Sequence, residues 1–288
     1  MKVGLALGSG AARGWAHIGV IRALEEAGYK PDIIAGCSIG AFVGAACASG
    51  DLDMLEEWVG KLTWQNVLKL LDPSWAGGLI KGEKLIDFFR QHFLDHDFSS
   101  LQVPFACVAT DLANGREVWL KEGSVADAVR ASIAMPGLFT PAERNGRLLV
   151  DGGLVNPVPV SLCRYMGADI VIAVDLGADL TGRALRREEI VTDAESERSW
   201  LQRLRGSIGL GASGSVTPSM MSVMSSSINI MQVRIARSRL AGEPADVLLT
   251  PMLSGLGLMD YHRGPEAIVE GRAAVERMLP ALEFALRP

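Results

Sequence analysis

Apolar and polar positions along the first fifty residues alternate between two kinds of pattern. Residues 2–7 form a short apolar run, broken at once by Gly8-Ser9-Gly10-Ala11-Ala12-Arg13-Gly14. A helical period then runs to Gly28, placing Ile21 and Leu24 inward and Arg22, Glu25 and Glu26 outward, with Gly28 as the residue past the helix end. Residues 32–35 are a second apolar run, followed directly by Gly36-Cys37-Ser38-Ile39-Gly40 and the small-residue stretch AFVGAACAS, which ends at Gly50. Strand, helix and strand joined this tightly predict a right-handed βαβ unit and therefore a parallel sheet.

Residues 51–100 are expected to be mostly helical, with a loop at 73–78. Residues 103–110 and 117–120 flank Asn114-Gly115, a hairpin signal. Residues 148–150 form a strand that ends at Asp151-Gly152-Gly153. The run DIVIAVDL, 169–176, is apolar enough for a strand buried on both faces. Residues 183–205 are densely charged and 206–219 are rich in Gly and Ser, which predicts a linker. Met220, Met224, Ile228, Met231 and Ile235 then recur at helical spacing, and such a stripe is expected to pack against the sheet rather than meet lipid. Residues 247–250 return as a strand, and 266–286 close the chain as a helix. There is no internal repeat.

Composition narrows the class. Of 288 residues, 49% are hydrophobic and 21% charged, with a net charge of −5, a globular balance without the basic run that nucleic acid would require. Four cysteines, Cys37, Cys47, Cys107 and Cys163, stand among apolar neighbours with no CxxC pair, as expected for reduced thiols and not for a disulfide framework or a zinc site. The N-terminal apolar run is too short for a signal peptide and no run approaches a membrane span, so the expectation is a soluble chain that at most lies on a membrane surface.

The chemistry concentrates at GCSIG. A serine nucleophile has to stand exposed in a strained strand-to-helix turn, and Gly36 and Gly40 let the two backbones approach around Ser38. The helix that follows aims its first amides, Ile39 among them, at the place where an oxyanion would form. The loop Gly8–Gly14 also joins a strand to a helix and forms a nest of amides for an anion. A dinucleotide would want an acidic residue near the end of the second strand; Asp32 begins that strand instead, so the oxyanion is the better fit. Arg13 is either an anion contact or a solvated cation at a helix start. Two groups compete as the base for Ser38. One is His262, following Asp151 in the order of an α/β-hydrolase triad; the other is Asp151 itself, its pKa raised by burial, with Gly152 and Gly153 permitting close approach. His17 is expected in the core, His92 and His96 at the surface. Cys37 is a rival nucleophile disfavoured by its place in the elbow.

A glycine-rich loop after the first strand, G-x-S-x-G after the second and D-G-G far downstream, in that order, resemble the patatin-like phospholipases. The wording GLALGSGAARGWAHIGVIRAL, AGCSIGAFVGAA, RASIAMPG, LLVDGGLVNPVPV and GADIVIAVDL is similar to the bacterial RssA-type members of the neuropathy-target-esterase branch. The resemblance implies a three-layer α/β/α sandwich around a mainly parallel sheet. Residues 3–176 would be the catalytic core, 177–245 a charged and Gly/Ser/Met-rich insertion, and 246–288 the closing strand and helix. It implies Ser38 as nucleophile and Asp151 as base in a dyad without histidine, and an oxyanion hole from Gly10, Ala11, Arg13 and Ile39. Gly8, Gly14, Gly36, Gly40, Gly152 and Gly153 would be the motif glycines. It further implies hydrolysis of phospholipid or lysophospholipid acyl esters, no metal or other cofactor, and a cytoplasmic protein in transient contact with the inner membrane face. Ser9 and Ala11 stand where the family places glycines. An alanine at positive φ would be strained, and on that ground the alternative is a low-turnover lipid-sensing or regulatory protein.

Overall fold

The computed structural model describes residues 1–69, 82–91, 96–179 and 220–287. The expected loop at 73–78, His92, the charged stretch 183–205 and the linker 206–219 lie outside them. One eight-stranded sheet organises the rest. Its strands are β1 (Val3–Leu7), β2 (Ile33–Cys37), β3 (Phe105–Asp111), β4 (Glu117–Leu120), β5 (Ala142–Arg144), β6 (Arg147–Asp151), β7 (Ile170–Val174) and β8 (Val247–Leu249), in the order β5-β6-β3-β2-β1-β7-β8, with β4 paired to β3.

From β3 through β8 the ladder is parallel, while β4 and β6 both pair antiparallel with β3. Nearly every residue of β1, β2, β3 and β7 is buried, the signature of strands covered on both faces. Their alternation sorts two cores. Leu5, Leu7, Ile34, Phe105, Cys107 and Val174 face the larger one, built with α1 (Ala16–Glu26), α2 (Ile39–Ser49), α3 (Leu52–Gly60), α5 (Glu83–Phe89), α6 (Val125–Ser132) and α9 (Gly264–Ala285). Ala6, Ala35, Ala106, Val108 and Ala173 face the smaller one, under α7 (Val160–Tyr165) and α8 (Met220–Gly242). The remaining helix is α4 (Trp64–Lys69). Sheet and two helical layers make the three-layer α/β/α sandwich.

Local signals account for most element ends. The helix α1 stops in a Schellman turn: Gly28 takes φ 85°, its amide donates to the Glu25 carbonyl, and the Tyr29 amide reaches back to Leu24. The hairpin β3–β4 closes at Gly115, φ 68°. A second hairpin, β5–β6, turns on Asn145 (φ 52°) and Gly146 (φ 71°), the two-residue turn that needs positive φ at both positions.

The methionine stripe is a correction. The helix α8 forms, but its buried apolar residues are Ile228, Val233 and Ala236, whereas Met224 and Met231 are 39% and 49% exposed beside exposed Val223 and Ile230. A 23-residue helix with apolar side chains all round cannot bury every one of them. The inward face is selected by shape: Ala236 joins the small-residue core on that side of the sheet, and Val233 lies against Gly177.

Candidate active site

Three chain segments meet at the carboxyl ends of β1 and β2. Ser38 follows β2 at φ 55° and ψ −123°, a backbone conformation L residues rarely adopt. It is held there from several directions. Its amide donates to Ser132 Oγ at 2.9 Å, and the Ser132 hydroxyl, fully buried, donates to the Val108 carbonyl at 2.6 Å. Its carbonyl accepts from Ala41 and Phe42, the first turn of α2. Gly36 and Gly40 are required by space. A Cβ on Gly36 would lie 2.4 Å from Ala41 Cα, and one on Gly40 would lie 2.2 Å from the Leu7 carbonyl oxygen.

Asp151 ends β6, and strand register delivers it. Cys37 pairs with Val108 across β2–β3, and Ala109 pairs with Asp151 across β3–β6, so β3 alone separates the two groups. Gly152 lets the chain turn there, since a Cβ would sit 2.2 Å from the Val108 carbonyl oxygen. Ser38 Oγ donates to Asp151 Oδ2 at 2.6 Å, and the Gly153 amide donates to Oδ1 at 2.7 Å. Asp151 is 1% exposed. Burial pushes its carboxyl from the ordinary 3.8 up to about 6, and the two donated hydrogen bonds only partly oppose this.

The glycine loop places its amides unequally. Those of Gly8, Ser9, Ala12 and Arg13 are bonded to the carbonyls of Val174, Pro157, Leu258 and Gly10. Among the described residues no acceptor meets the amides of Gly10, Ala11 and Ile39, three residues that line the same cavity as Ser38. Ala11 has φ 50°, so the alanine does occupy the left-handed region. Arg13 corrects its sequence assignment to the oxyanion hole. Its amide is used inside the 3₁₀ turn Ala11–Trp15, and its guanidinium, 2% exposed, donates to the Leu256 carbonyl at 2.8 Å. It is neither a solvated cation nor a lining residue of the cavity.

The histidines separate cleanly. His17 is fully buried, and its Nε2 donates to the Gly8 carbonyl at 2.8 Å. Burial drives its pKa down to about 4, so it is neutral and serves to hold the loop. His262 is exposed and packs edge-on against Trp64, with ring centroids 5.7 Å apart. His96 pairs with Asp51 at 3.3 Å. Cys37 is buried, its thiol pushed well above the ordinary value by burial and by Asp151. The motif glycine Gly14 lies under Ile39, where a Cβ would meet that side chain at 2.2 Å. Among the described residues no three His, Cys, Asp or Glu side chains cluster as metal ligands.

A cavity of about 100 Å³ opens beside Ser38 and Asp151. Most of its lining is apolar, with Trp15, Phe42, Trp58, Phe89, Ile133 and Phe139 among it; Phe42 and Phe89 stack at 4.0 Å and Trp58 meets Phe89 edge-on. Two side-chain amides of α8, Asn229 and Gln232, also line the cavity. Neither these amides nor Ser132 carries a local signal of its own, although Ser132 sits inside RASIAMPG, one of the stretches that bear the family resemblance. Such a site can transfer a proton from hydroxyl to carboxylate beside unpartnered amides and an apolar chamber.

Comparison with known proteins agrees with the geometry. Residues 5–164 match the family model described as Patatin-like phospholipase. The chain is 37% identical over 333 aligned positions to NTE family proteins of Mycobacterium bovis and Mycobacterium tuberculosis, covering 98% of this chain and 92% of each relative. It is 37% identical over 185 positions to the human patatin-like phospholipase domain-containing protein 6, covering 61% of this chain and 13% of that one. With lysophospholipase nte1 of Emericella nidulans the identity is 36% over 184 positions, covering 61% and 12%. The chain belongs to the patatin-like phospholipase family.

Proposed function

We propose that this protein hydrolyses the acyl esters of phospholipids or lysophospholipids, with Ser38 as nucleophile and Asp151 as the sole general base. The observation that carries this is the 2.6 Å hydrogen bond from Ser38 Oγ to a buried, partly desolvated carboxylate at the mouth of an apolar cavity. Asp151 takes the serine proton as Oγ attacks the ester carbonyl. The negative charge passes to the carbonyl oxygen, where the amides of Gly10, Ala11 and Ile39 stabilise it. The alcohol leaves with the proton from Asp151, the acyl chain rests in the aromatic chamber, and Asp151 then deprotonates the water that releases it. No histidine is needed. The membership in a phospholipase family and the relative named lysophospholipase support the lipid ester as substrate.

No helix among the described residues is long and apolar enough to cross a membrane. The exposed Val223, Met224, Ile230 and Met231 of α8 supply the transient contact with a lipid surface, made from the cytoplasmic side. Ala11 at φ 50° favours a second reading, a lipid-sensing protein of low turnover, because strain in the loop loosens the oxyanion site. One experiment separates them. Hydrolysis of a decanoyl ester and labelling by a fluorophosphonate are expected in the wild type, lost by roughly a thousandfold or more in Ser38→Ala and kept within about threefold in His262→Ala. Slow labelling with no ester turned over would favour the sensor; loss in His262→Ala would restore the triad.

A further inference from the structure

Most of the cavity's lining is apolar and suits the acyl chain, but two side-chain amides interrupt it. Asn229 and Gln232 bring two primary amides to the same cavity as Ser38 and Asp151, and these match the polar alcohol half of the ester. These residues are one turn apart on α8 and partly exposed, so their amides share the face that looks into the cavity. Gln232 is oriented. Ser9 Oγ donates to its Oε1 at 3.5 Å, a long hydrogen bond, which turns Nε2 the other way. A Cβ built on Gly153 would lie 2.5 Å from Gln232 Nε2 and 2.9 Å from Asp151 Oδ1, so amide and carboxylate flank one small space. Ser9 replaces a glycine of the family pattern, and only a side chain at that position can hold the glutamine this way.

We propose that Gln232 and Asn229, with Ser9 fixing the Gln232 amide, determine specificity on the alcohol side by bonding a free hydroxyl on the carbon next to the scissile ester. A primary amide both donates and accepts, which suits a hydroxyl. The preferred substrate is therefore a polyol ester with a free hydroxyl beside the scissile bond. This inference rests on the proposed hydrolysis at Ser38.

The test compares two substrates below their critical micelle concentrations, 1-decanoyl glycerol and 3-hydroxypropyl decanoate, which differ only in the neighbouring hydroxyl. The wild type is expected to prefer the glycerol ester by about tenfold or more in kcat/KM, since a site built for a hydroxyl rejects the analogue lacking it. Gln232→Leu and Asn229→Leu are expected to reduce that ratio to below about threefold, and Ser9→Gly to lower it part of the way. The ratio does not depend on how much of a variant is folded, because one population turns over both esters. A wild-type ratio near one, or a ratio unchanged in both leucine variants, overturns the assignment. Turnover of both esters that survives Ser38→Ala would instead sink the hydrolase reading beneath it.

Discussion

Ser38 and Ala11 both sit at positive φ, 55° and 50°, at the two lips of the same cavity. Each such residue costs about 1–2 kcal/mol relative to glycine. At Ser38 the cost is inseparable from the chemistry, because the strained turn is what presents the hydroxyl to Asp151. At Ala11 it is not, since only its backbone amide is proposed to take part. Ala11→Gly is therefore expected to leave the protein equally stable or up to about 1 kcal/mol more stable by urea unfolding, strain relief outweighing the added freedom of the unfolded chain. Turnover is expected to change by less than about threefold, since the substitution keeps the backbone amide. A loss above about 1 kcal/mol would show that the loop was unstrained, and a large gain in turnover would favour the sensor. Residue identity was legible in the sequence where the signal is local: Ser38 between Gly36 and Gly40, Asp151 before two glycines. Arg13 was not, because the Leu256 carbonyl that receives it lies 243 residues away along the chain.

Helix packing shows the same division. The close approach of α1 and α9 rests on two glycines: a Cβ on Gly19 would lie 1.9 Å from the Ile268 carbonyl oxygen, and one on Gly271 would lie 2.0 Å from that of Ala16. Backbone on backbone leaves no flexible side chain to yield. Gly19→Ala and Gly271→Ala are each expected to cost about 2–3 kcal/mol in urea unfolding. Gly60→Ala, at the end of α3 where nothing lies within 4 Å, is expected to be neutral or to stabilise by about 0.5 kcal/mol. Equal effects at all three positions would contradict the packing. Periodicity predicts both helices, but nothing in either segment says which glycine meets which carbonyl. Asn145-Gly146 was legible and passed over: the same dipeptide that marked the β3–β4 hairpin also turns β5 into β6. The inward face of α8 was misjudged because its apolar residues surround the helix, and only the sheet decides between them.

For the whole molecule, two buried titrating groups oppose each other. Asp151 has a raised folded value, about 6 against 3.8, so it contributes stability below about pH 4 that is lost as pH rises through about 6. His17 has a lowered one, about 4 against 6.5, so its contribution is present above about pH 6.5 and is lost as pH falls through about 4. Each amounts to roughly 3 kcal/mol, and the two nearly offset between pH 4 and 6.5. Asp151→Asn removes one side of the balance. The variant is expected to exceed the wild type by about 2–3 kcal/mol at pH 7 and to match it near pH 4, as measured by urea unfolding across that range. A difference that does not vary with pH would mean that the carboxyl is not desolvated. The site thus stores a stability cost in the group proposed to do the chemistry.

The most direct test of the Ser38–Asp151 pairing is the rate of fluorophosphonate labelling as a function of pH, with the labelled residue identified by mass spectrometry. The wild type is expected to label at Ser38 with a rate that climbs through about pH 6 and then levels, following ionisation of Asp151. Asp151→Asn is expected to label slower by roughly a thousandfold and to lose that rise. A label on another residue, a flat profile between pH 5 and 7, or an Asp151→Asn variant that labels at the wild-type rate would contradict the pairing.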